Sequence, residues 1–410
     1  MFEGVTITSD NIDDGTIAEA LVYYGRVHVV LSRGGLQQIA RSFGHRNLVR
    51  LVDAGNLKIS FEQRSYSVHT NSAPFRTHDF GVVALAATAE GRKIWTPQDE
   101  IEEMFLREFG KSASTRLFAK DMADRVAVPK VRDEILKSVR QDILDSDYMT
   151  RACAAWIKVM VPEYELPKDF TVETADTGQG FVFVSGLNFE EINKFYHRRI
   201  SPEHSSVTDG YLLANIVSVR KELSFSAGSR SDIWLGAGGA AMLREKTKAL
   251  LKRTTKSLKD IEVFHDVEFN GKTFREAVNS GERTIDELVV FLELEDTRRF
   301  KTWLISQSDE KLLIKEFHRT LFQKSGWMQS LPTKLVKLVV SAALGAFIDA
   351  KIGSMGITTA AATGLSMASN ISMGASDEFL LSRMGNGWKP TQFVEKPARE
   401  FLLEGESPAD

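Results

Sequence analysis

The sequence predicts a mainly helical α+β protein, with a small N-terminal α/β unit followed by helical domains. Three observations support this class. Residues 1–95 alternate β-branched runs with helical patterns, and residues from 96 onward carry apolar side chains at three- and four-residue spacing. Residues 341–376 consist largely of small side chains, which favours a close-packed C-terminal helical hairpin. Alternation of strands and helices indicates a layered α/β unit, and the 3.6-residue period indicates amphipathic helices.

The composition is that of an ordinary globular protein. The chain has 410 residues, of which 43% are hydrophobic and 26% charged, and its net charge is −3. This length suffices for a substantial core in two or three domains. The small net charge disfavours specific nucleic-acid binding, so any electrostatic partner must contact a local patch.

Cysteine usage and the first residues predict a cytoplasmic protein. Cys153 is the single cysteine, so it cannot form an internal disulfide, which suits a reducing compartment. The N-terminal segment MFEGVTITSDNIDD lacks the basic and apolar regions of a secretory signal. We therefore expect a cytoplasmic location, with membrane association only on activation.

Residues 1–95 are predicted to form the α/β unit. Turn residues separate short runs whose periodicity differs, which is the pattern of strands joined by helices. The predicted elements are a helix at 15–25, a strand at 26–32, two short helices at 34–55 that end at Gly55, an alternating strand at 56–70 and a further strand at 79–89.

Residues 96–165 are predicted to form a helical segment. Thr96 has the position of an N-cap and Pro97 that of the first helical residue. Helical spacing continues over residues 130–161, and Pro162 then interrupts it. This segment therefore connects the α/β unit to the next part of the chain.

Three further segments complete the predicted organisation. Residues 166–210 contain a β-hairpin around Thr177–Gly180 and a polar connector. Residues 211–400 are predicted to form a helical C-terminal domain, in which Thr284 and Glu287 have the spacing of a capping box. Residues 401–410 are polar and predict a frayed tail.

No segment carries a complete catalytic, cofactor or metal motif. Residues 266–273 end in Gly-Lys-Thr, but Asp266 replaces the first glycine of a phosphate-binding loop. Gly236, Gly238 and Gly239 lie between a strand-like run and a helix, where backbone amides could hold an anion. The helical pattern of residues 211–223 favours a helix–loop–helix junction instead. We therefore expect no cofactor and no metal.

A metal-dependent nuclease or other hydrolase in the N-terminal unit is one functional alternative. Asp53 and Glu62 could form a carboxylate pair, although an amphipathic edge strand explains the same residues. His69, His78 and Asp79 offer two imidazoles and a carboxylate to zinc, without a fourth ligand. These signals leave the protein more consistent with a non-enzymatic role.

Residues 244–259 predict a basic amphipathic helix. The segment has seven basic residues and one acidic residue, with a stripe at Arg244, Lys248, Lys252 and Lys256. Such a stripe is either a solvated surface or a contact for an anionic membrane surface. No aromatic side chain lies between the bases, which argues against stacking of single-stranded nucleic acid.

The small-residue stretch is the most informative part of the sequence. A helix from Pro332 to Ile352 and a second arm after Gly356 are predicted to pack closely, because small residues recur every four positions. The first arm has an apolar core of eleven residues and the second is polar, whereas a bilayer span takes about twenty apolar residues. The predicted hairpin residues are Ser341, Gly345, Phe347, Gly353, Gly356, Gly364 and Ala368.

These features predict a conditionally membrane-active effector of the kind used in bacterial toxicity or phage defence. The hairpin would leave the core on activation and insert into an anionic membrane surface, alone or with other protein chains, including further copies. A cytosolic scaffold or binding protein, in which the same hairpin stays in the core, is the principal alternative.

The effector role predicts leakage of dye from anionic liposomes on addition of purified protein, and toxicity on expression. Gly364→Leu is expected to abolish both, because a leucine at this position blocks close helix approach. Fluorescence dequenching on anionic and neutral vesicles measures the leakage. Absence of leakage with every lipid, together with absence of toxicity, would contradict the role, and unchanged toxicity of Gly364→Leu would contradict the hairpin mechanism.

Overall fold

The computed structural model confirms a mixed fold dominated by helices. Helices hold 61% of the described residues, which establishes the mainly helical α+β class. The structure describes residues 3–8, 12–73, 75–84, 96–129, 133–200, 204–229, 231–252, 264–269, 274–306, 335–340 and 390–403.

Ten strands and fourteen α-helices are defined within these residues. The strands are β1 (Gly4–Thr8), β2 (Arg26–Leu31), β3 (Leu57–Phe61), β4 (Arg64–Asn71), β5 (Thr77–Ala84), β6 (Val172–Asp176), β7 (Phe181–Ser185), β8 (Asp232–Leu235), β9 (Phe264–Phe269) and β10 (Leu335–Val340). The helices are α1 (Asp14–Tyr23), α2 (Arg33–Asp53), α3 (Pro97–Phe109), α4 (Ala113–Arg125), α5 (Asp133–Ile143), α6 (Ser146–Met160), α7 (Phe189–Arg199), α8 (Asp209–Ser229), α9 (Ala237–Lys252), α10 (Phe274–Asn279), α11 (Ile285–Glu293), α12 (Glu295–Ser306), α13 (Pro390–Phe393) and α14 (Arg399–Leu403).

The first sheet has six strands in the order β3-β2-β1-β8-β10-β9. Strands β3, β2, β1 and β8 are parallel, and β10 is antiparallel to both of its neighbours. Helices α1 and α2 pack on one face, whereas α8 and α9 pack on the other. The chain leaves β1 towards β2 on one side and returns on the other side as β8. The strand order therefore reverses between β1 and β8, as in doubly wound sheets.

The second sheet has the order β4-β5-β7-β6 and is antiparallel throughout. The predicted hairpin around Thr177–Gly180 is confirmed, and Gly178 and Gly180 both have positive φ. The alternating run at 56–70 is two strands, because β3 joins the first sheet and β4 joins the second. Each sheet thus combines strands from more than one of the predicted segments.

Two hydrophobic cores lie on the two faces of the first sheet. On one face, Val5, Ile7 and Val29 pack against α1 to α4 and α10 to α12. On the other, α5 to α9 and the second sheet enclose a core around Trp156 and Ile216. Ile233 and Leu235 of β8 belong to this second core, whereas Thr6, Thr8, His28 and Ser60 of β1 to β3 are buried polar residues.

Local sequence signals for helix ends are confirmed where they were strongest. Thr96 and Thr284 each form a capping box, with Asp99 and Glu287 respectively, an arrangement in which the cap contributes about 1 kcal/mol. The two helices predicted at 34–55 form α2, which is interrupted by non-helical backbone at Gly44. Such signals act within a few residues and need no tertiary context.

Two predictions for the C-terminal domain are wrong. Residues 232–235 form β8 and pair with β1, with Ile233 opposite Thr6, so the segment is not a helix–loop–helix junction. Residues 335–340 form β10, although the predicted helix began at Pro332. The run Leu-Val-Lys-Leu-Val-Val is short and rich in valine, so pairing with β8 and β9 decides its conformation.

The remainder of the predicted hairpin lies outside the described residues. This applies to Ser341, Gly345, Phe347, Gly353, Gly356, Gly364 and Ala368. Among the residues that are described, none belongs to a helix that combines the length and the apolarity required to cross a bilayer.

A buried polar network covers the sheet face beneath α8. The Thr6 hydroxyl lies 2.8 Å from Ser229 Oγ and 2.5 Å from Ser231 Oγ. His28 is 8% exposed, and its Nε2 lies 2.8 Å from Ser60 Oγ. Burial lowers the pKa of His28 to about 4, with further contributions from Lys58 and Arg26. The imidazole is therefore neutral in the folded protein at pH 7.

The neutral His28 predicts a loss of stability in mild acid. The unfolded chain takes up a proton on this imidazole near pH 6.5, whereas the folded protein does so only near pH 4. Unfolding is therefore favoured by about 3 kcal/mol as the pH falls from 6.5 to 4. Urea unfolding across this range should show a flatter pH dependence for His28→Gln than for the wild type.

The exposed His45 supplies the control for this measurement. His45→Gln is the matched substitution, because it replaces an exposed histidine and leaves the buried network around His28 intact. Equal slopes for His28→Gln and the wild type would contradict the assignment of a neutral, buried His28.

Candidate ligand crevice at the sheet edge

A crevice of about 520 Å³ opens at the carboxyl end of β8. It lies beside β1, at the point where the strand order reverses. In open α/β sheets this is where ligands bind, because the loops that follow the two strands diverge to opposite faces. The crevice is lined by Trp156, Met160, Tyr211, Ala214, Asn215, Ser218, Val219, Glu222 and residues 235–239.

The first turn of α9 forms one wall of the crevice. The first backbone hydrogen bond of this helix runs from Ala240 N to Gly236 O, at 2.9 Å. The amides of residues 237–239 have no acceptor within the helix, as at every helix start. Helices α1, α3, α7 and α11 begin at Asp, Thr or Asn residues whose side chains accept from the first turn. Gly236 has no such side chain, so the positive end of the α9 dipole borders the crevice.

Gly238 and Gly239, in the first turn of α9, differ in the space that surrounds them. A Cβ at Gly238 would lie 2.4 Å from Trp156 Nε1, because α6 crosses α9 at this point. A Cβ at Gly239 would make ordinary contacts, at 3.8 Å from Val219 Cγ2 and 3.9 Å from Leu235 Cδ2. Gly238 is therefore required by helix packing, whereas Gly239 leaves room in the crevice.

Glu222 provides a carboxylate on the opposite wall. Its side chain belongs to a residue that is 3% exposed, and Thr8 Oγ1 donates to its Oε1 at 2.8 Å. Thr8 is the last residue of β1, so this hydrogen bond ties the crevice to the central strand. The crevice thus combines a carboxylate with a helix N-terminus.

Aromatic side chains close the crevice on the α6 side. The Trp156 ring lies 5.9 Å from Tyr196 and 5.7 Å from Tyr211, measured between centroids. The two phenol oxygens are 3.2 Å apart. Burial raises the pKa of Tyr196, and its hydrogen bond to Tyr211 raises it further. The Tyr196 phenol is therefore a neutral hydrogen-bonding group, and the aromatic rings give this wall an apolar surface.

A buried ionic network fixes the helices that form these walls. Asp142 on α5 accepts from Arg220 on α8 in a bidentate arrangement, with Arg220 Nη2 at 2.6 Å from Asp142 Oδ1. Asp142 also pairs with Lys246 on α9. The Lys246 ammonium lies 4.7 Å from the centroid of the Tyr148 ring. One carboxylate thereby fixes α8 and α9 relative to each other.

The basic stripe predicted from the sequence is only partly within the described residues. Arg244 is half-buried on α9, and Lys248 is exposed and pairs with Glu245 at 2.6 Å. The side chain of Lys252 and all of Lys256 lie outside the described residues. Lys246 belongs to the same basic segment but is buried, and it pairs with Asp142 in the protein interior.

The residues considered for a hydrolase are not brought together. Asp53 pairs with Arg125 before β3, and Glu62 pairs with Lys221 after β3, so the two carboxylates flank opposite ends of that strand.

The histidine pair considered for a metal is divided between two environments. His69 lies opposite Asp79 in the β4–β5 pairing, and His69 Nε2 is 2.8 Å from Ser67 Oγ. His78 is fully buried, and its Nε2 lies 3.2 Å from Asp209 Oδ2. Within the part of the chain that the structure describes, no three His, Cys, Asp or Glu side chains are grouped to hold a metal ion.

The sequence indicated Gly236, Gly238 and Gly239 as a possible anion site, but not the other crevice residues, although one signal for these was present. Tyr211, Asn215, Ser218 and Glu222 follow one another at spacings of four, three and four within an apolar helix, which places them on one face. Trp156 gave no comparable signal, because only the crossing of α6 and α9 brings it to the glycine turn.

The chain matches no protein-family model, no curated protein and no solved structure. The crevice is therefore assigned from its geometry and its position in the sheet.

The glycine turn predicts opposite results for two neighbouring substitutions. Gly238→Ala should lower the free energy of unfolding by about 1–3 kcal/mol, because its methyl group overlaps a buried indole that cannot move aside. Gly239→Ala should be neutral or stabilising by up to about 1 kcal/mol, since alanine favours the helix. Urea unfolding of both variants measures the difference, and equal destabilisation would contradict the described packing.

Proposed function

We propose that the protein is a ligand-binding protein whose crevice takes a small organic molecule with an anionic group and a hydroxyl or amino group. The single observation that supports this proposal is the presence of the α9 N-terminus and Glu222 in one cavity, at the point where the strand order reverses. A small-molecule ligand was not among the roles predicted from the sequence, which named a cytosolic scaffold or binding protein as the principal alternative.

The two walls favour opposite ends of such a ligand. Unpaired amides at a helix start stabilise a phosphate or carboxylate group. The Glu222 carboxylate accepts hydrogen bonds from hydroxyl or amino groups and repels a second anion. A bound molecule is therefore oriented with its anionic group at residues 237–239 and its hydrogen-bond donors at Glu222.

Size and lining narrow the ligand class further. A volume of about 520 Å³ is within the range of about 300–1,000 Å³ that is usual for small-molecule sites. The Trp156 and Tyr211 rings offer an apolar surface to a planar group. Nucleoside phosphates combine a planar base, hydroxyl groups and an anion, so they are the class that this lining favours.

The membrane-active role remains a second proposal, and one contact of the described residues favours its coupling to the crevice. The singled-out hairpin residues begin at Ser341, directly after β10, which takes the place of the first part of the predicted helical arm. Strand β10 pairs with β8, with Leu338 opposite Leu235 and Val340 opposite Ile233. A ligand at the end of β8 would therefore contact a strand that is hydrogen-bonded to the chain leading into the hairpin.

Isothermal titration calorimetry with AMP, ADP, ATP and NAD tests the binding role, with adenosine and inorganic phosphate as partial ligands. We expect at least one nucleoside phosphate to bind more tightly than either partial ligand. Glu222→Gln should weaken that binding by about tenfold or more, because hydrogen bonds to a charged group contribute about 1.5–3 kcal/mol.

Gly239→Leu should abolish the binding, since its side chain would fill the crevice. Gly34→Leu is the matched control, because Gly34 is an exposed residue in the first turn of α2 with no atom near its Cβ position. Absence of binding by every member of the panel at millimolar concentration, or unchanged binding by Gly239→Leu, would contradict the proposal.

A further inference from the structure

A second cavity lies at the other end of the parallel strands of the first sheet. It has a volume of about 450 Å³ and is enclosed by the last turn of α2 and by helices α11 and α12. Gly25 and Asn56 line it, and these residues immediately precede β2 and β3. The cavity is thus at the amino ends of the parallel strands, away from the crevice.

Lys301 on α12 lines this cavity and is buried, with 8% of its surface exposed. Its Nζ donates to Asn56 Oδ1 at 3.5 Å, which is long for a hydrogen bond. No carboxylate of the described residues lies within ion-pair distance of this ammonium group. A buried charge without a counterion is unfavourable. A bound anion would therefore stabilise the charged form of Lys301.

The other charged groups around Lys301 add to the positive potential. Arg298 lies one helical turn earlier on the same face of α12 and is exposed at the cavity. Arg50 reaches the cavity from α2 and pairs with Glu293 of α11 at 2.6 Å. Three cationic side chains therefore face one carboxylate, which is itself engaged by Arg50.

Apolar side chains form the rest of the cavity wall. Leu51, Val289, Leu292 and Ile305 line it beside the cationic groups. This combination differs from a surface cluster of lysines, because one cation is buried and the adjoining surface is hydrocarbon. It suits a molecule that has a charged end and an apolar body.

We propose that this cavity binds a small organic anion, with its phosphate or carboxylate group held by Lys301 and Arg298 and its apolar body against Leu51, Leu292 and Ile305. Charge-assisted hydrogen bonds from an ammonium and a guanidinium group are the strong contacts in such a site. The site is independent of the crevice and of the function proposed for it.

The charge state of Lys301 makes a pH dependence part of the proposal. Burial lowers the pKa of Lys301 to about 8 in the absence of an anion. The facing charged groups are Arg50, Arg298 and Glu293. A bound anion favours the ammonium form, so binding above pH 8 is accompanied by uptake of a proton, and affinity falls as the pH rises further.

Titration calorimetry with phenyl phosphate and with benzoate tests the site, because these probes carry a phosphate or a carboxylate on an apolar ring. The Gly239→Leu variant serves as the background, so that the crevice does not contribute. We expect one of the probes to bind more tightly than inorganic phosphate or phenol. Measurements at pH 9 in two buffers of different ionisation enthalpy should detect the proton uptake.

Lys301→Met should weaken the binding by at least about tenfold, because the charged hydrogen-bond donor is lost. This variant should fold with at least the stability of its background, since it removes an unpaired buried charge; urea unfolding verifies this. Lys194→Met, which changes an exposed lysine on α7, is the matched control and should bind as before. Absence of binding by both probes, or equal binding by Lys301→Met, would overturn the proposal.

Discussion

Three consecutive charged residues in the buried helix α8 hold the described structure together. Arg220 pairs with Asp142 on α5, Lys221 pairs with Glu62 at the end of β3, and Glu222 accepts from Thr8 at the end of β1. Successive residues of an α-helix are about 100° apart, so the three side chains leave the helix in three directions. Because a buried charge that loses its partner is strongly destabilising, these contacts fix the rotation and the axial position of α8 together.

The crevice is a consequence of this arrangement. Once Glu222 is directed at β1, the same helical register places Tyr211, Asn215 and Ser218 along the opening. Asp142 binds Lys246 as well as Arg220, so α9 and its glycine turn are positioned against α8 by one carboxylate. Both polar walls of the crevice therefore depend on a salt-bridge network that has no contact with the opening itself.

The sequence predicted those features whose causes are local. Thr96 is the expected N-cap and Thr284 forms the expected capping box. Helix α2 is interrupted at Gly44, within the segment where two short helices were predicted. Strand β8 was assigned to a helix–loop–helix junction and β10 to a helix, since a run of four to six apolar residues takes its conformation from the strands beside it. The crevice could not be predicted because it depends on contacts between distant parts of the chain. Asp142 and Lys246 are 104 residues apart, and no local sequence pattern indicates that they meet.

Strand β8 is the element that relates the ligand-binding crevice to the membrane-active role proposed for residues 341–376. It pairs with β1 on one side and with β10 on the other, its carboxyl end forms the crevice, and β10 continues into residues 341–376. Proximity alone does not couple two sites, since a ligand changes a conformational equilibrium only when it binds the alternative states with different affinity. In this fold the available difference is the position of α9 relative to α8, because the ligand groups at residues 237–239 and at Glu222 belong to different helices. A ligand that spans both would therefore favour the arrangement in which Asp142 holds the two helices together.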